Sequence, residues 1–296
     1  MLNKLALIVS GIVLSLFFYY IYTLNIMHKK DNIVKELDNG LLLAKNLLEE
    51  EQRYALAIST LISQDSKFLA AYYKNNRKEA FEIVNDKINN LSVLDGYPLE
   101  VQVHNKNAKT YLRSWDYNIT NVALSSFREG VVLVKQTKKP FVSIEVGKRL
   151  NIKAISPILN KDVFEGSIEV IEGFKYLEDK LLEQGYTVFI LLEKHYLNIA
   201  TSLRNNQMIQ NQFVLVNQHN ENNILNKLKG TNLNSLGNYG YFTNEGISFG
   251  YFKLKNLHNK KIGYCILALK GQEFVKIQKH YLENNFKENN LGVIIR

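Results

Sequence analysis

The chain has 296 residues, of which 46% are hydrophobic, so it can bury the cores of about two domains and is not a disordered tail. Lys and Arg outnumber Asp and Glu by 37 to 28, which gives a formal charge of +9. These basic residues are spread along the chain and not clustered beside stacking aromatic residues, which argues against a nucleic-acid partner.

The first predicted element is a membrane helix. Residues 5–27 carry no charge and reach the roughly 20 apolar residues that cross a bilayer. A cleaved signal peptide is the alternative, but this stretch exceeds the usual apolar core and lacks a small-residue cleavage site. We therefore expect an uncleaved, single-pass anchor over residues 1–30.

A long helix follows the anchor. Its inward positions recur in alternating steps of four and three: Leu37, Leu41, Ala44, Leu48, Glu51, Ala55, Ile58 and Ile62. The stripe either packs on the protein's own sheet or forms a homodimer seam, and one helix can do both. The charged Glu51 argues against a long uninterrupted coiled coil.

A first set of strands begins after a break at residues 95–98. The pattern predicts strands at residues 99–104, 109–115, 141–147, 151–157 and 163–172, with a helix at residues 121–136. This order of elements is typical of the α+β class with an antiparallel sheet.

A second, smaller set of similar design follows a helix at residues 174–184. Strands are predicted at residues 186–192, 213–217, 239–242, 247–254 and 261–270, followed by a polar helix from about Glu273. The predicted organisation is an anchor at 1–30, a first domain at 31–175 and a second domain at 176–296.

One face of the first predicted sheet carries unusual side chains. Because side chains alternate along a strand, Tyr111, Arg113 and Trp115 share a face, and Glu145 and Glu169 lie on the corresponding faces of their strands. A solvated sheet would more usually carry Thr, Lys and Ser there. The pattern therefore indicates a binding surface or a set of internal ion pairs.

Two arginines are candidates to bind a carboxylate. Arg128 lies on the apolar side of the predicted helix and Arg113 on the sheet below it. A buried guanidinium costs several kcal/mol unless it is paired, and its planar fork matches a carboxylate. The partner is either a ligand carboxylate or Glu145 or Glu169, and the pattern weighs these alternatives evenly.

Six connected segments carry a resemblance to a known family. They are Gln102-Val103-His104, Leu112 to Trp115, Leu124 to Arg128, Lys139 to Gly147, Ile155 to Ile158 and Gly166 to Glu169. Their order and spacing resemble the membrane-distal half of a double Cache (PAS-like) sensor of bacterial methyl-accepting chemotaxis receptors, a module also found on sensor kinases and cyclic-di-GMP enzymes. The resemblance covers about residues 60–175 and is only architectural over residues 186–275.

The resemblance implies two Cache domains in the periplasm, held at the inner (cytoplasmic) membrane by the anchor. It also implies a metabolite pocket in the distal domain that includes Arg113, Trp115, Arg128 and Glu145. Lys153 stands where the family pattern has an arginine, so the positive charge is kept but the planar guanidinium group is lost. Such receptors continue into a second membrane helix and a signalling module, and the sequence to Arg296 shows neither. The alternatives are a truncated receptor, part of a split receptor, or an accessory protein acting on a partner.

No enzyme motif is found. The sequence contains no P-loop, no His-Glu-x-x-His and no Gly-x-Ser-x-Gly, and its six histidines show no i,i+4 pairing. We therefore predict no catalytic residue, metal site or cofactor. Cys265, the single cysteine, lies in an apolar run and is predicted to be a buried thiol.

The main hypothesis is an extracytoplasmic sensor of a small anionic or zwitterionic metabolite, an organic acid or an amino acid, in chemotaxis or signal transduction. The predicted ligand-binding residues are Tyr111, Arg113, Trp115, Arg128, Glu145, Lys153 and Glu169. The alternative is a Cache module without a ligand that serves in dimerisation or in docking to a partner receptor.

Overall fold

One long helix runs past two antiparallel sheets. A computed structural model describes residues 2–123, 129–217, 222–269 and 293–294. The helices are α1 (Leu2–Ser63), α2 (Ser66–Tyr73), α3 (Arg77–Asp95), α4 (Glu129–Thr137), α5 (Lys175–Glu183) and α6 (Asn222–Lys229). The strands of the first sheet are β1 (Glu100–Asn105), β2 (Thr110–Arg113), β3 (Phe141–Val146), β4 (Leu150–Asn160), β5 (Val163–Glu172) and β12 (Val293–Ile294). The strands of the second sheet are β6 (Tyr186–Glu193), β7 (Met208–Ile209), β8 (Phe213–Leu215), β9 (Tyr239–Asn244), β10 (Ile247–Lys255) and β11 (Lys261–Leu269).

Helix α1 has 62 residues, a length of about 93 Å at the usual rise per residue, and it contacts both sheets beyond its exposed apolar stretch at residues 8–27. Apart from the half-buried Glu51, every residue of the predicted stripe is at most 4% exposed. Leu37 and Leu41 contact Gly250 of the second sheet, whereas Ser59, further along, hydrogen bonds to Ser156 of the first sheet at 2.8 Å. The prediction that the stripe packs on the protein's own sheets is confirmed, and the homodimer seam stays a prediction.

Helices α2 and α3 occupy a stretch that the sequence pattern left unassigned. The Asp65 carboxylate caps α2 by accepting from the Phe68 amide at 2.8 Å, and Asn76 caps α3 in the same way. Gly96 ends α3 in the left-handed conformation, at φ 80°, that favours glycine. Their apolar sides join the main core, which α1 and the first sheet also form.

The first sheet has the order β12-β3-β4-β5-β1-β2, and its neighbouring strands are antiparallel. The five strands predicted between residues 99 and 172 are confirmed to within a few residues. Helix α4 covers the later part of the predicted helix at residues 121–136, and residues 124–128 lie outside the described residues.

The second sheet has the order β7-β8-β6-β11-β10-β9 and is also antiparallel. Its five predicted strands are confirmed, so the α+β class with two antiparallel sheets is confirmed as well. The predicted final helix from Glu273 lies outside the described residues. Cys265 of β11 is fully buried, and burial raises the pKa of its thiol, as expected of an inert core cysteine.

Candidate functional site

The face of the first sheet that is turned away from α1 is buried and polar. Strand register places Arg113, Gln102 and Glu169 side by side across β2, β1 and β5. We use the name polar face for the following residues, each less than 9% exposed: Gln102, His104, Thr110, Arg113, Ser143, Glu145, Lys153, Ser167 and Glu169. The opposite face carries apolar side chains that pack against α1.

A chain of hydrogen bonds links four side chains of the polar face. Arg113 Nε donates to Gln102 Oε1 at 2.8 Å, so the amide nitrogen of Gln102 is turned toward His104 Nε2, 2.9 Å away. His104 Nε2 therefore accepts, and His104 Nδ1 donates to Ser167 Oγ at 2.8 Å. Glu169 Oε2 lies 3.3 Å from the same His104 Nε2. These contacts hold Arg113 in a defined direction on the sheet.

The polar face brings together two cations and two carboxylates. Lys153 is 1% exposed and lies between Ser143 and Ile171 in the strand register. Glu145 accepts a hydrogen bond from Ser143 Oγ at 2.9 Å. Because a buried charge costs several kcal/mol unless it is compensated, Arg113 and Lys153 require the carboxylates of Glu145 and Glu169 or of a bound ligand.

Helix α4 forms a roof over part of the polar face. Val131 and Val134 of α4 pack on Phe141 and Ile155 of the sheet. Gly130 lies directly against Glu145, where an added Cβ would overlap Oε1 of that carboxylate. The glycine therefore lets the helix approach the charged end of Glu145 closely.

Trp115 lies at the rim of the polar face, in the turn after β2. Its side chain is 45% exposed, and the Arg113 guanidinium carbon is 5.7 Å from the ring centroid. This distance is within the range of a cation–π contact. Trp115 thus offers an aromatic surface that solvent or a ligand can reach, beside a buried cation.

The predicted site residue Tyr111 lies away from the polar face, in the main core. Tyr111 was predicted to share a face with Arg113, but a β-bulge between Val103 and His104 breaks the alternation at this position. Tyr111 instead joins the main core, where its ring packs edge-on against Tyr72 at 4.9 Å. Arg128 lies outside the described residues.

The other five predicted residues, Arg113, Trp115, Glu145, Lys153 and Glu169, lie on or beside the polar face. Strand β4 lies between β3, which carries Glu145, and β5, which carries Glu169, so these two strands are not hydrogen bonded to each other.

Sequence reasoning did not include Gln102, His104 and Ser167 among the site residues. The signal was present, because strand alternation places all three on the same side as Arg113 and Glu169. Their hydrogen bonds depend on the order of β5, β1 and β2 in the sheet, which the sequence alone did not provide.

The corresponding face of the second sheet is apolar. Its buried cluster is formed by Phe189, Leu191, Phe213, Leu225, Leu228, Phe242, Phe249, Tyr251, Tyr264 and Ile266, among others. Helix α6 supplies Leu225 and Leu228 to this cluster. Stacked rings such as Phe242 and Phe249, 4.8 Å apart, occupy the position that charged groups occupy in the first sheet.

Two other features bear on function. Within the described residues, one helix, α1, is long and apolar enough to cross a membrane, and the apolar side chains over residues 8–27 are largely exposed. No group of three or more His, Cys, Asp or Glu side chains is placed to hold a metal ion in the part of the chain that the structure describes.

Comparison with known proteins identifies the architecture. A family model described as the double sensory domain of two-component sensor kinases, a double Cache family, matches residues 30–270. No curated protein matches the chain.

Solved structures of bacterial sensor domains resemble the fold. The sensor domain of the Vibrio cholerae histidine kinase DctB matches with 11% identity and a TM-score of 0.47, covering 82% of this chain and 98% of that one. A domain of a sensory box/GGDEF family protein from Vibrio parahaemolyticus matches with 13% identity and a TM-score of 0.48, covering 81% and 97%. The ligand-binding domain of the Campylobacter jejuni chemoreceptor Tlp3, solved with L-valine, matches with 13% identity and a TM-score of 0.43, covering 84% and 93%.

Proposed function

Because the chain belongs to the double Cache family of sensory domains, we propose that it senses a small organic acid or amino acid on the polar face of the first sheet. The family is a ligand-binding, non-catalytic module of extracytoplasmic sensors. The proposed site consists of Arg113, Trp115, Glu145, Lys153 and Glu169. We include Arg128 from the sequence alone, since it lies outside the described residues. The proposal assigns no chemical change to the ligand.

The observation that carries this proposal is the burial of four charged side chains on one face of a small sheet. Arg113, Lys153, Glu145 and Glu169 are each at most 8% exposed. A stable sheet does not need such groups, because apolar residues fill the same space at lower cost, as they do in the second sheet. The two buried cations favour a ligand that carries a carboxylate. The two buried carboxylates could also accept the ammonium group of an amino acid.

The orientation of Arg113 supports the same role. Its Nε donates to Gln102, which fixes the plane of the guanidinium, and the guanidinium carbon lies 5.7 Å from the centroid of the exposed Trp115 ring. A guanidinium held in this way is preorganised for a planar anion. Binding of such an anion would favour the conformation in which these groups converge, and any signal would arise from that difference in affinity between states.

For the cellular setting, we propose a single-pass protein of the inner membrane with both Cache domains in the periplasm. The exposed apolar residues of α1 support an anchor at residues 1–30, and the second sheet lies nearer to that anchor than the first. We accordingly propose a membrane-distal domain at 31–175, a membrane-proximal domain at 176–296, and an output through a signalling partner in chemotaxis or kinase signalling.

Thermal-shift screening of the full chain in maltoside micelles against amino acids and organic acids tests the proposal. At least one compound is expected to raise the melting temperature, and Arg113→Ala should weaken its binding at least tenfold. Arg204→Ala, a surface arginine of the second domain, serves as the matched control and should leave binding unchanged. Absence of any stabilising compound, or equal binding by wild type and Arg113→Ala, would contradict the proposal.

The second candidate function is a Cache module without a ligand that serves in dimerisation or docking. It is favoured by the hydrogen-bonded chain from Arg113 to Ser167, which satisfies part of the polar face internally. Analytical ultracentrifugation distinguishes the two functions. A stable dimer together with no stabilising compound would favour this candidate.

A further inference from the structure

A cavity lies between α1, the first sheet and α5. This cavity, which we call the junction cavity, has a volume of about 820 Å³. It is lined by Asn46, Glu50, Glu51, Arg53 and Tyr54 of α1, residues 97–100, Arg149, Asn151, residues 171–173, Lys175 and Tyr176. None of these residues belongs to the polar face. The volume falls in the range of small-molecule sites, roughly 300 to 1,000 Å³.

The junction cavity carries an excess of negative charge on a chain whose net charge is +9. Four glutamates line it, Glu50, Glu51, Glu100 and Glu172, against three cations, Arg53, Arg149 and Lys175. Each of these cations already has an acidic neighbour. Arg149 pairs with Glu100, and Lys175 Nζ lies 2.5 Å from Asp179 Oδ1. Arg53 Nη2 lies 3.6 Å from Glu49 Oε2. Two of those acids, Asp179 and Glu49, add to the negative charge around the cavity.

Three tyrosines, Tyr54, Tyr97 and Tyr176, complete the wall. The rings of Tyr97 and Tyr176 meet edge to face with centroids 5.3 Å apart, and the Tyr97 hydroxyl donates to Asp179 at 3.2 Å, which holds the pair in place. Lys180 Nζ lies 6.0 Å from the Tyr176 ring centroid, so this aromatic wall already attracts one cation.

Glu172 adds a buried carboxylate to the lining of the same cavity. Its side chain is 5% exposed, and both of its carboxylate oxygens are shielded from solvent. A cavity lined by a buried carboxylate and aromatic rings stabilises a bulky, weakly hydrated cation better than it stabilises a neutral molecule or an anion.

We propose that the junction cavity is a second effector site that binds an organic ammonium ion. Such a ligand would touch α1, the first sheet and α5, the helix that leads directly into the second sheet. Its binding therefore stabilises one relative position of these three elements and provides a regulatory input separate from the polar face.

Isothermal titration calorimetry with choline, using the full chain in maltoside micelles, tests this site. The matched control ligand is 3,3-dimethyl-1-butanol, which has the shape of choline without its charge. Choline is expected to bind saturably and the neutral alcohol at least tenfold more weakly. Arg113→Ala, on the polar face, should leave choline binding unchanged.

Substitutions in the lining of the junction cavity test whether choline binds there. Glu172→Gln keeps the shape of the side chain and should weaken choline binding at least fivefold, as should Tyr54→Leu at the half-buried rim. Glu82→Gln, an exposed glutamate of α3, is the matched control and should have no effect. The proposal is overturned if choline does not bind, if the neutral alcohol binds equally well, or if Glu172→Gln and Tyr54→Leu both bind choline like wild type.

Discussion

The two sheets share an antiparallel design and the same long helix on one side, but they differ in what covers the other side. In the first sheet that surface holds two cations, two carboxylates and a hydrogen-bonded chain from Arg113 through Gln102 and His104 to Ser167. In the second sheet it holds stacked phenylalanines, tyrosines and leucines. The apolar face of the second sheet stabilises its domain. The buried polar face of the first sheet lowers stability, and the proposed role in ligand recognition explains why the fold keeps it.

The largest expected effect is on stability in the second sheet. Phe249→Ala removes a fully buried ring from the apolar cluster and should destabilise that domain by about 3 to 5 kcal/mol. Denaturant unfolding followed by tyrosine fluorescence measures the loss. Ligand binding to the polar face of the folded protein should be unchanged, so a large loss of that affinity would contradict the division of roles.

The second-largest expected effect is a loss of stability when the charges buried on the first sheet are unbalanced. Lys153→Met keeps an unbranched side chain but removes a buried cation, leaving two carboxylates opposite one arginine. We expect a destabilisation of about 3 kcal/mol, read from the same unfolding curves. Lys161→Met, in the exposed turn between β4 and β5, is the matched control and should change stability by less than about 0.5 kcal/mol.

Two glycines allow the polar face and the apolar core to be compared with the same substitution, because Gly130 contacts the polar face and Gly250 contacts the core. Gly130→Ala would press a methyl group into the Glu145 carboxylate, whereas Gly250→Ala in β10 meets the Leu41 Cδ1 methyl at 2.9 Å. We expect Gly130→Ala to cost about 1 to 2 kcal/mol despite the better helix propensity of alanine, and to reduce ligand affinity. Gly250→Ala should lower the melting temperature without affecting ligand affinity, and a ligand effect from Gly250→Ala would argue against the comparison.

The smallest expected effect lies in α5, between the sheets. Burial, with a further contribution from Asp179, raises the pKa of Glu178 from 4.5 to about 7. Between these pH values the folded protein holds a proton that the unfolded chain releases, so stability should fall as pH rises through this window and level off above it.

Glu178→Gln removes this dependence. Melting curves at pH 5 and pH 8 should show the variant more stable than wild type at pH 8 by roughly 1 kcal/mol, a value reduced by the partial exposure of the side chain. At pH 5 the difference should be much smaller. Parallel pH profiles of wild type and variant would show that the Glu178 carboxyl titrates normally.

Whether a structural feature of this protein could be predicted from its sequence depends on how far apart along the chain the interacting residues lie. Alternation within a strand is local, so it correctly assigned β5 and the faces of Arg113 and Glu169. It failed at Tyr111, because a bulge in the β1–β2 pairing turns that side chain into the core. It also missed β7, whose two residues are too few to show a period.

The junction cavity had no sequence signal. Its wall joins residues of α1, such as Tyr54, to Glu172 and Tyr176, which are more than 100 positions away along the chain. Only the packing of α1 across the first sheet brings them together, and that packing depends on the whole stripe of α1. Likewise, the partners of His104 depend on strand order.

Hydrogen–deuterium exchange of the full chain, with and without the amino acid or organic acid that stabilises it most, tests the central claim most directly. Ligand binding on the polar face should add protection in peptides that cover residues 100–115 and 141–155, with little change over residues 186–193 and 247–255. Protection confined to the second sheet would contradict the assignment of ligand binding to the polar face.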